Sequence, residues 1–347
     1  MPAEWEPQQA ILLSLPDASM DWSYMLHDIL ECYRNIVKQL LERGCNVCVL
    51  ARDSTKAQEL LGDPKPSRLR IIESELNDTW IRDYGPITIE ELSLKSGKRR
   101  LTALDFGFNG WGLKFAADKD NLSTLHLHER DNLFFLHYRN CREFVLEGGS
   151  IESDGEGTIL TTRRCLCSPN RNGGLDKKEV NERLGKYLGV QHILWLDYGA
   201  LEGDDTDSHI DTLARLCPDN TIIYTGCSDP MDPHYAQLEA MRQQLLNFRT
   251  ITGERYNLIE LPLPDAVYDE EDGHRLPATY CNYLVTDSTV FVPSYNQPAK
   301  DELARKVVRI AYPGREVVSI DCLPLIRQHG SLHCATMQIP SELILSR

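Results

Sequence analysis

A chain of 347 residues that is 41% hydrophobic and 26% charged has ample material for a globular core, and its formal charge of -15 argues against nucleic acid as a partner. Nonspecific affinity for phosphates is carried by Lys and Arg, which are here outnumbered by Asp and Glu. No apolar run approaches the length of a bilayer span, and the acidic start Met1-Pro-Ala-Glu-Trp-Glu-Pro7 does not suit a signal peptide, so a cytoplasmic protein without membrane contact is expected.

Along the chain, short β-branched runs alternate with amphipathic stretches. A strand is predicted over Ile11–Leu15, a helix over Asp21–Arg43, then strands over Asn46–Leu50, Leu69–Ile72, Ile87–Ile89 and Leu101–Phe106. Strands follow over Ile159–Thr162, His192–Leu196, Thr221–Thr225, Tyr280–Val285, Val290–Pro293 and Glu316–Asp321. Helices are predicted over Asp176–Leu188, Asp232–Phe248 and Ala299–Ala311; in the second of these, Ala236, Leu238, Met241, Leu245 and Leu246 recur at helical spacing behind two Asp-Pro start signals. The alternation favours an α/β class. No Gly/Ser linker interrupts the chain, and the acidic stretch Asp265–Gly273 reads as an exposed loop, so one domain over 1–347 is expected. Successive units share too little sequence for a repeat to be read from pattern alone. The eleven cysteines lie mostly in apolar stretches and read as reduced, buried hydrophobes. Cys45-Asn-Val-Cys48 lacks a second ligand pair, so no metal site is predicted there.

Four phrases carry candidate chemistry. Trp80-Ile-Arg-Asp83-Tyr-Gly-Pro86 places a carboxylate in a turn, where it pairs with Arg82, caps the turn or is available for function. Glu147 follows an apolar strand beside Gly148 and Gly149, which let another group approach closely; a bulge or hairpin with an exposed Glu is the alternative. Asp204-Asp-Thr-Asp-Ser-His209-Ile-Asp211 reads as a histidine acid/base with a second carboxylate, or as a solvated acidic loop. It lacks the glycine and bidentate glutamate of a calcium loop. In an extended segment, His209 and Asp211 would share a face. Gly330-Ser-Leu-His333-Cys334 offers a thiol nucleophile, with His333 read as structural because neighbours on a strand point to opposite faces. A thiol, an imidazole and several carboxylates are the equipment for holding a planar cation and attacking its carbon.

Together these phrases resemble the agmatine deiminase family, the Porphyromonas-type peptidylarginine deiminase branch of the guanidino-modifying superfamily. The likeness also takes in Asp105-Phe-Gly-Phe-Asn-Gly-Trp111-Gly, Leu146-Glu-Gly-Gly-Ser-Ile151, Arg171-Asn172, Leu276-Pro-Ala-Thr-Tyr280 and Leu332-His-Cys334-Ala-Thr-Met-Gln-Ile-Pro340. The resemblance implies an α/β fold, a five-bladed pseudo-symmetric α/β propeller (pentein) of ββαβ units with the site in its central channel. It implies Cys334 as nucleophile, His209 as acid/base, Glu147 orienting that histidine, and Asp83 and Asp211 gripping the guanidinium. It implies no metal and no organic cofactor, and homodimerisation at the family level. Two departures stand out: only His329-Gly330-Ser331 precedes the His-Cys pair, where a longer glycine run is usual, and Ser208 stands where glycine is common.

The implied reaction is hydrolysis of agmatine to N-carbamoylputrescine and ammonia through an S-amidino-cysteine, a step of putrescine biosynthesis. The partner is then a small cationic guanidino substrate, whose stem and far cation would meet Trp80, Trp111, Tyr295 or the acidic loop Asp269–Asp272. The same grip would serve a peptidylarginine or free-arginine deiminase, or an amidinotransferase. A polyamine-binding protein without catalysis would not need both Cys334 and His209.

Overall fold

Short, largely apolar runs of the chain form five separate sheets in the computed structural model, which describes residues 1–62, 67–92, 97–130 and 137–342. The fold is mixed α/β. Contacts gather into two compact units, one of Glu4–Gly148 with Cys334 onward, the other of Gly149–His333. The chain therefore passes between them at Gly148–Gly149 and at His333–Cys334.

The first unit holds two sheets. Gln8–Ser14 pairs antiparallel with Thr336–Pro340 and parallel with Val47–Ala51, which continues into Leu69–Glu73. The other sheet joins Ile87–Leu92, Arg99–Gly107 and His137–Val145, an antiparallel pair followed by a parallel one. In the second unit, the three sheets repeat that order: Ile151–Ser153, Thr158–Thr162, His192–Leu196; Ala214–Cys217, Thr221–Thr225, Asn257–Leu261; and Leu284–Val285, Thr289–Ser294, Glu316–Asp321. A parallel neighbour needs a crossover, and in each sheet a helix supplies it. These helices are Leu26–Glu42, Ser123–Arg130, Lys177–Leu188, Tyr235–Asn247 and Pro298–Ala311. The order strand, strand, helix, strand thus recurs in all five sheets, a regularity too weakly written to be read as sequence repetition.

Local chemistry explains why the elements form where they do. In Leu26–Glu42, the buried residues Ile29, Cys32, Tyr33, Ile36, Val37, Leu40 and Leu41 fall on one helical stripe. Central strands such as Val47–Ala51 and Thr221–Thr225 are buried throughout, as strands covered on both faces must be. The predicted strand Tyr280–Val285 shortens to Leu284–Val285 because its backbone is used elsewhere: the carbonyls of Cys281 and Tyr283 accept from the Arg215 guanidinium at 3.2 and 2.6 Å. Lys177–Leu188 opens on a reciprocal cap between Asp176 and Glu179 and closes on Gly189 at a left-handed φ of 71°. No helix among the described residues is long and apolar enough to cross a membrane. Asp176→Ala should lower unfolding stability by about 1 kcal/mol, measured as a shift in urea midpoint with unchanged slope.

Candidate active site

In the first unit, the candidate residues converge on one peptide, that of Arg82. Its N–H donates to the carbonyl of Cys334 at 3.2 Å. Its carbonyl lies so close to Gly148 that a Cβ there would sit 2.2 Å from the oxygen, so only glycine fits beside Glu147. Asp83 is the next residue in the one-turn helix Ile81–Tyr84. Asp83, Glu147 and Cys334 are all buried, at 3%, 0% and 5% exposure.

Arg82 donates to Gln338 Oε1 at 2.6 Å and Met337 Sδ at 3.3 Å, with Glu4 at 4.0 Å. The Asp83 carboxylate accepts from the Trp111 indole, Nε1 to Oδ2, at 2.8 Å. Trp111 reaches it from a left-handed turn in which Gly110, Trp111, Gly112 and Leu113 all have φ between 54° and 84°. At Gly110 a Cβ would meet the Phe115 carbonyl at 2.1 Å. The Asn109 side chain accepts from Gly112 N–H at 3.0 Å and closes the turn, while Phe108 and Phe115 pack edge-on against the indole. Trp80 is buried against Trp22 at 5.7 Å between ring centroids.

A segment that the sequence did not single out braces these loops. The Asp120 carboxylate accepts from the N–H groups of Asn77 and Asp78 at 2.7 and 3.1 Å. Asn121 accepts from Phe108 N–H at 2.8 Å, and Thr124 donates to the Tyr84 carbonyl at 3.2 Å. Burial and the neighbouring Asp78 charge push the Asp120 carboxyl up to about 8 despite those donors.

The second unit carries His209 and Asp211. They do not share an extended segment: Asp211 sits in the 3₁₀ turn Ile210–Thr212, which His209 precedes. His209 N–H donates to Thr206 Oγ1 at 3.0 Å and its carbonyl accepts from Thr212. Asp204 folds the acidic stretch upon itself by accepting from the N–H groups of Thr206 and Ser208 at 3.0 and 2.6 Å. Asp207 and Ser208 both adopt φ of 65°. The unusual Ser208 therefore occupies left-handed backbone where glycine would be unstrained. Buried Arg171 holds the same loop through Asp207 at 2.6 Å and the Thr206 carbonyl at 2.7 Å.

Asp211 is fully buried, and its Oδ2 accepts from His333 Nδ1 at 2.8 Å. Burial by itself would push this carboxyl up. The hydrogen bond from His333 and the electrostatic influence of His333, His209 and Arg215 instead hold it below the usual carboxylate range. Tyr295 is committed elsewhere, donating to the Thr279 carbonyl at 2.8 Å. The loop Asp269–Asp272 is largely exposed. Donor atoms of Asp269, Asp272 and His274 lie within 4.8 Å of one another, but Asp272 is bonded to His274 and Asp269 faces Arg327 at 3.5 Å, so the group reads as loop bracing.

The chain belongs to a class of mixed α/β enzymes that modify guanidino groups by hydrolysis. A family-wide sequence model for Porphyromonas-type peptidyl-arginine deiminases matches residues 1–340, and the chain belongs to that family. A solved Porphyromonas gingivalis chain, provisionally named an arginine deiminase, is 45% identical with a TM-score of 0.90 over 98% of each chain. A C. jejuni agmatine deiminase, solved as a cysteine-to-serine variant with substrate bound, is 36% identical with a TM-score of 0.87, covering 98% of this chain and 96% of that one. A Vibrio parahaemolyticus protein provisionally named an agmatine deiminase is 31% identical over 98% of this chain and 96% of its own.

Trp111→Phe keeps the ring packing and removes the donor to Asp83. It should lower kcat/KM for a guanidino substrate by about tenfold or more, the size of a hydrogen bond to a charged group, with the thermal midpoint little changed.

Proposed function

We propose that this protein is an agmatine deiminase, hydrolysing the substrate guanidinium to N-carbamoylputrescine and ammonia. The observation that carries the proposal is the convergence on the Arg82 peptide, which ties buried Cys334 to the turn bearing buried Asp83 from opposite ends of the chain. The five sheets of recurring strand order support a five-bladed α/β propeller as the architecture. A family match over 1–340 supports one catalytic domain. The proposed setting is the cytoplasm, with a small cationic guanidino compound as partner and a homodimer as the assembly.

In the proposed reaction, Asp83 and Asp211 accept hydrogen bonds from the guanidinium and fix its plane. The Cys334 thiolate attacks the central carbon. The carbon–nitrogen bond to a terminal nitrogen breaks as imidazolium His209, oriented by Glu147, donates a proton, and ammonia departs. Water, deprotonated by His209, adds to the S-amidino carbon; the carbon–sulfur bond breaks, restoring the thiolate and leaving a ureido product. Trp80 and Trp111 wall the substrate in this scheme. No step calls for a metal or organic cofactor.

Arginine is the second reading, favoured by the 45% identity to the Porphyromonas gingivalis chain. Against it, the buried cation of the acidic loop, Arg171, is committed to Asp207 and Thr206, which makes it a poor receptor for an α-carboxylate. Ammonia release from agmatine, arginine and a blocked arginine peptide separates these readings, and an added amine acceptor reveals amidino transfer. Agmatine should be turned over fastest; release from arginine alone would move the assignment to the second reading. Cys334→Ser should abolish turnover while agmatine still binds in calorimetry, and continued ammonia release would remove Cys334 from the nucleophile role.

A further inference from the structure

Glu152, Arg215, His333 and Asp211 form a buried chain of polar contacts in the second unit, and the proposed mechanism uses only its last member. Arg215, 1% exposed, donates from Nε to Glu152 Oε1, from Nη1 to the carbonyls of Cys281 and Tyr283, and from Nη2 to His333 Nε2 at 3.1 Å. Its guanidinium also lies over the Tyr283 ring, 4.5 Å from the centroid. A buried cation with this many partners is fixed in place. The backbone of His333 is fixed as well: its N–H reaches the Asn282 carbonyl at 3.1 Å and Asn282 Oδ1 at 2.9 Å.

That geometry decides the tautomer of His333. Arginine has donors only, so Nε2 must be the acceptor of the Arg215 contact. The ring proton then sits on Nδ1, which faces Asp211 Oδ2 at 2.8 Å and donates to it. With its one basic nitrogen occupied by Arg215, the imidazole has no lone pair to offer a substrate proton, although it adjoins Cys334 in sequence.

We propose that His333 is a positioning residue for the deiminase reaction: locked as the Nδ1–H tautomer by the Glu152–Arg215 pair, it aims the Asp211 carboxylate at the substrate guanidinium. This rests on the reading that Asp211 grips that guanidinium. Substituents on the carboxylate matter because a planar cation is recognised by oxygen direction as well as by charge. A neutral donor supplies the direction without cancelling the charge, which a lysine or arginine in the same place would do. Titratable and charged groups acting on Asp211 include His333, His209 and Arg215, and His333 bonds its carboxylate directly.

The test compares His333→Asn, His333→Gln and His333→Ala with the parent chain and with Asp211→Asn, using kcat/KM against pH on agmatine and circular dichroism for folding. The Asn amide can place an N–H near the former Nδ1, whereas the longer Gln amide reaches toward Nε2. Removing the donor to Asp211 should raise that carboxyl's pKa, so the acid limb of kcat/KM should move to higher pH in the Ala and Gln variants. Their kcat/KM at neutral pH should fall by about ten- to a hundredfold. The Asn variant should recover most of both. Folded Ala and Gln variants with the parent's acid limb and KM would overturn the proposal; if Ala does not fold, equal profiles for Asn and Gln would do so. Undiminished activity in Asp211→Asn would instead overturn the reading of Asp211 itself, whatever His333 does.

Discussion

In the proposed reaction, the carboxylates that would hold a flat cation must stay ionised while buried, and burial opposes that. An indole N–H holds Asp83 and the His333 imidazole holds Asp211, each at 2.8 Å. The chain's own guanidinium groups are the obvious competitors, since each is chemically the same as the proposed substrate headgroup. Three buried arginines have other partners among the described residues: Arg82 bonds Gln338 and Met337, Arg171 bonds Asp207, and Arg215 bonds Glu152 and two carbonyls.

The recurring sheet order gives the candidates a common address. Asp83 precedes the strand Ile87–Leu92, Glu147 precedes Ile151–Ser153, Asp211 precedes Ala214–Cys217, and Cys334 precedes Thr336–Pro340. Asn282, ahead of Leu284–Val285, fills the fifth such place and fixes the backbone of His333. Each lies in the turn that opens the first strand of its sheet. A turn there is held at one end by the sheet yet free to present a side chain, which is why functional groups gather on defined loops over rigid scaffolds.

Much of this was legible in the sequence, and the limits have physical causes. The helix over residues 26–42 announces itself because its apolar stripe repeats through more than four turns. The strand Ala214–Cys217 does not, since four residues cannot establish a period and Arg215 interrupts the apolar run. Asp83 and Cys334 could be named from local phrases, but their meeting at Arg82 joins distant parts of the chain, and no local pattern encodes that. His333 was assigned a structural part on the strength of strand alternation. The turn geometry at 331–335 replaces that premise, and the bond to Asp211 gives the residue a definite partner. Arg215 had no local mark at all. Its partners come from three separate segments, so its importance is a property of the fold.

Part of the backbone strain lies beside the candidate residues. Non-glycine residues with left-handed backbone include Trp111, Leu113, Asp207, Ser208 and His329, and these flank the turn holding Asp83, the acidic stretch before His209, and the approach to Cys334. Each such residue costs on the order of 1 kcal/mol or more relative to an ordinary conformation. Side-chain hydrogen bonds offset that cost locally: Asn109 accepts from Gly112, Asp204 accepts from Ser208, and the His329 ring meets the Gly203 carbonyl at 2.7 Å. At Ser208 and His329 the backbone takes the left-handed form, with φ of 65° at each. A side chain at such a position leaves the unfolded chain fewer conformations to lose than glycine would, which partly offsets the strain of the turn.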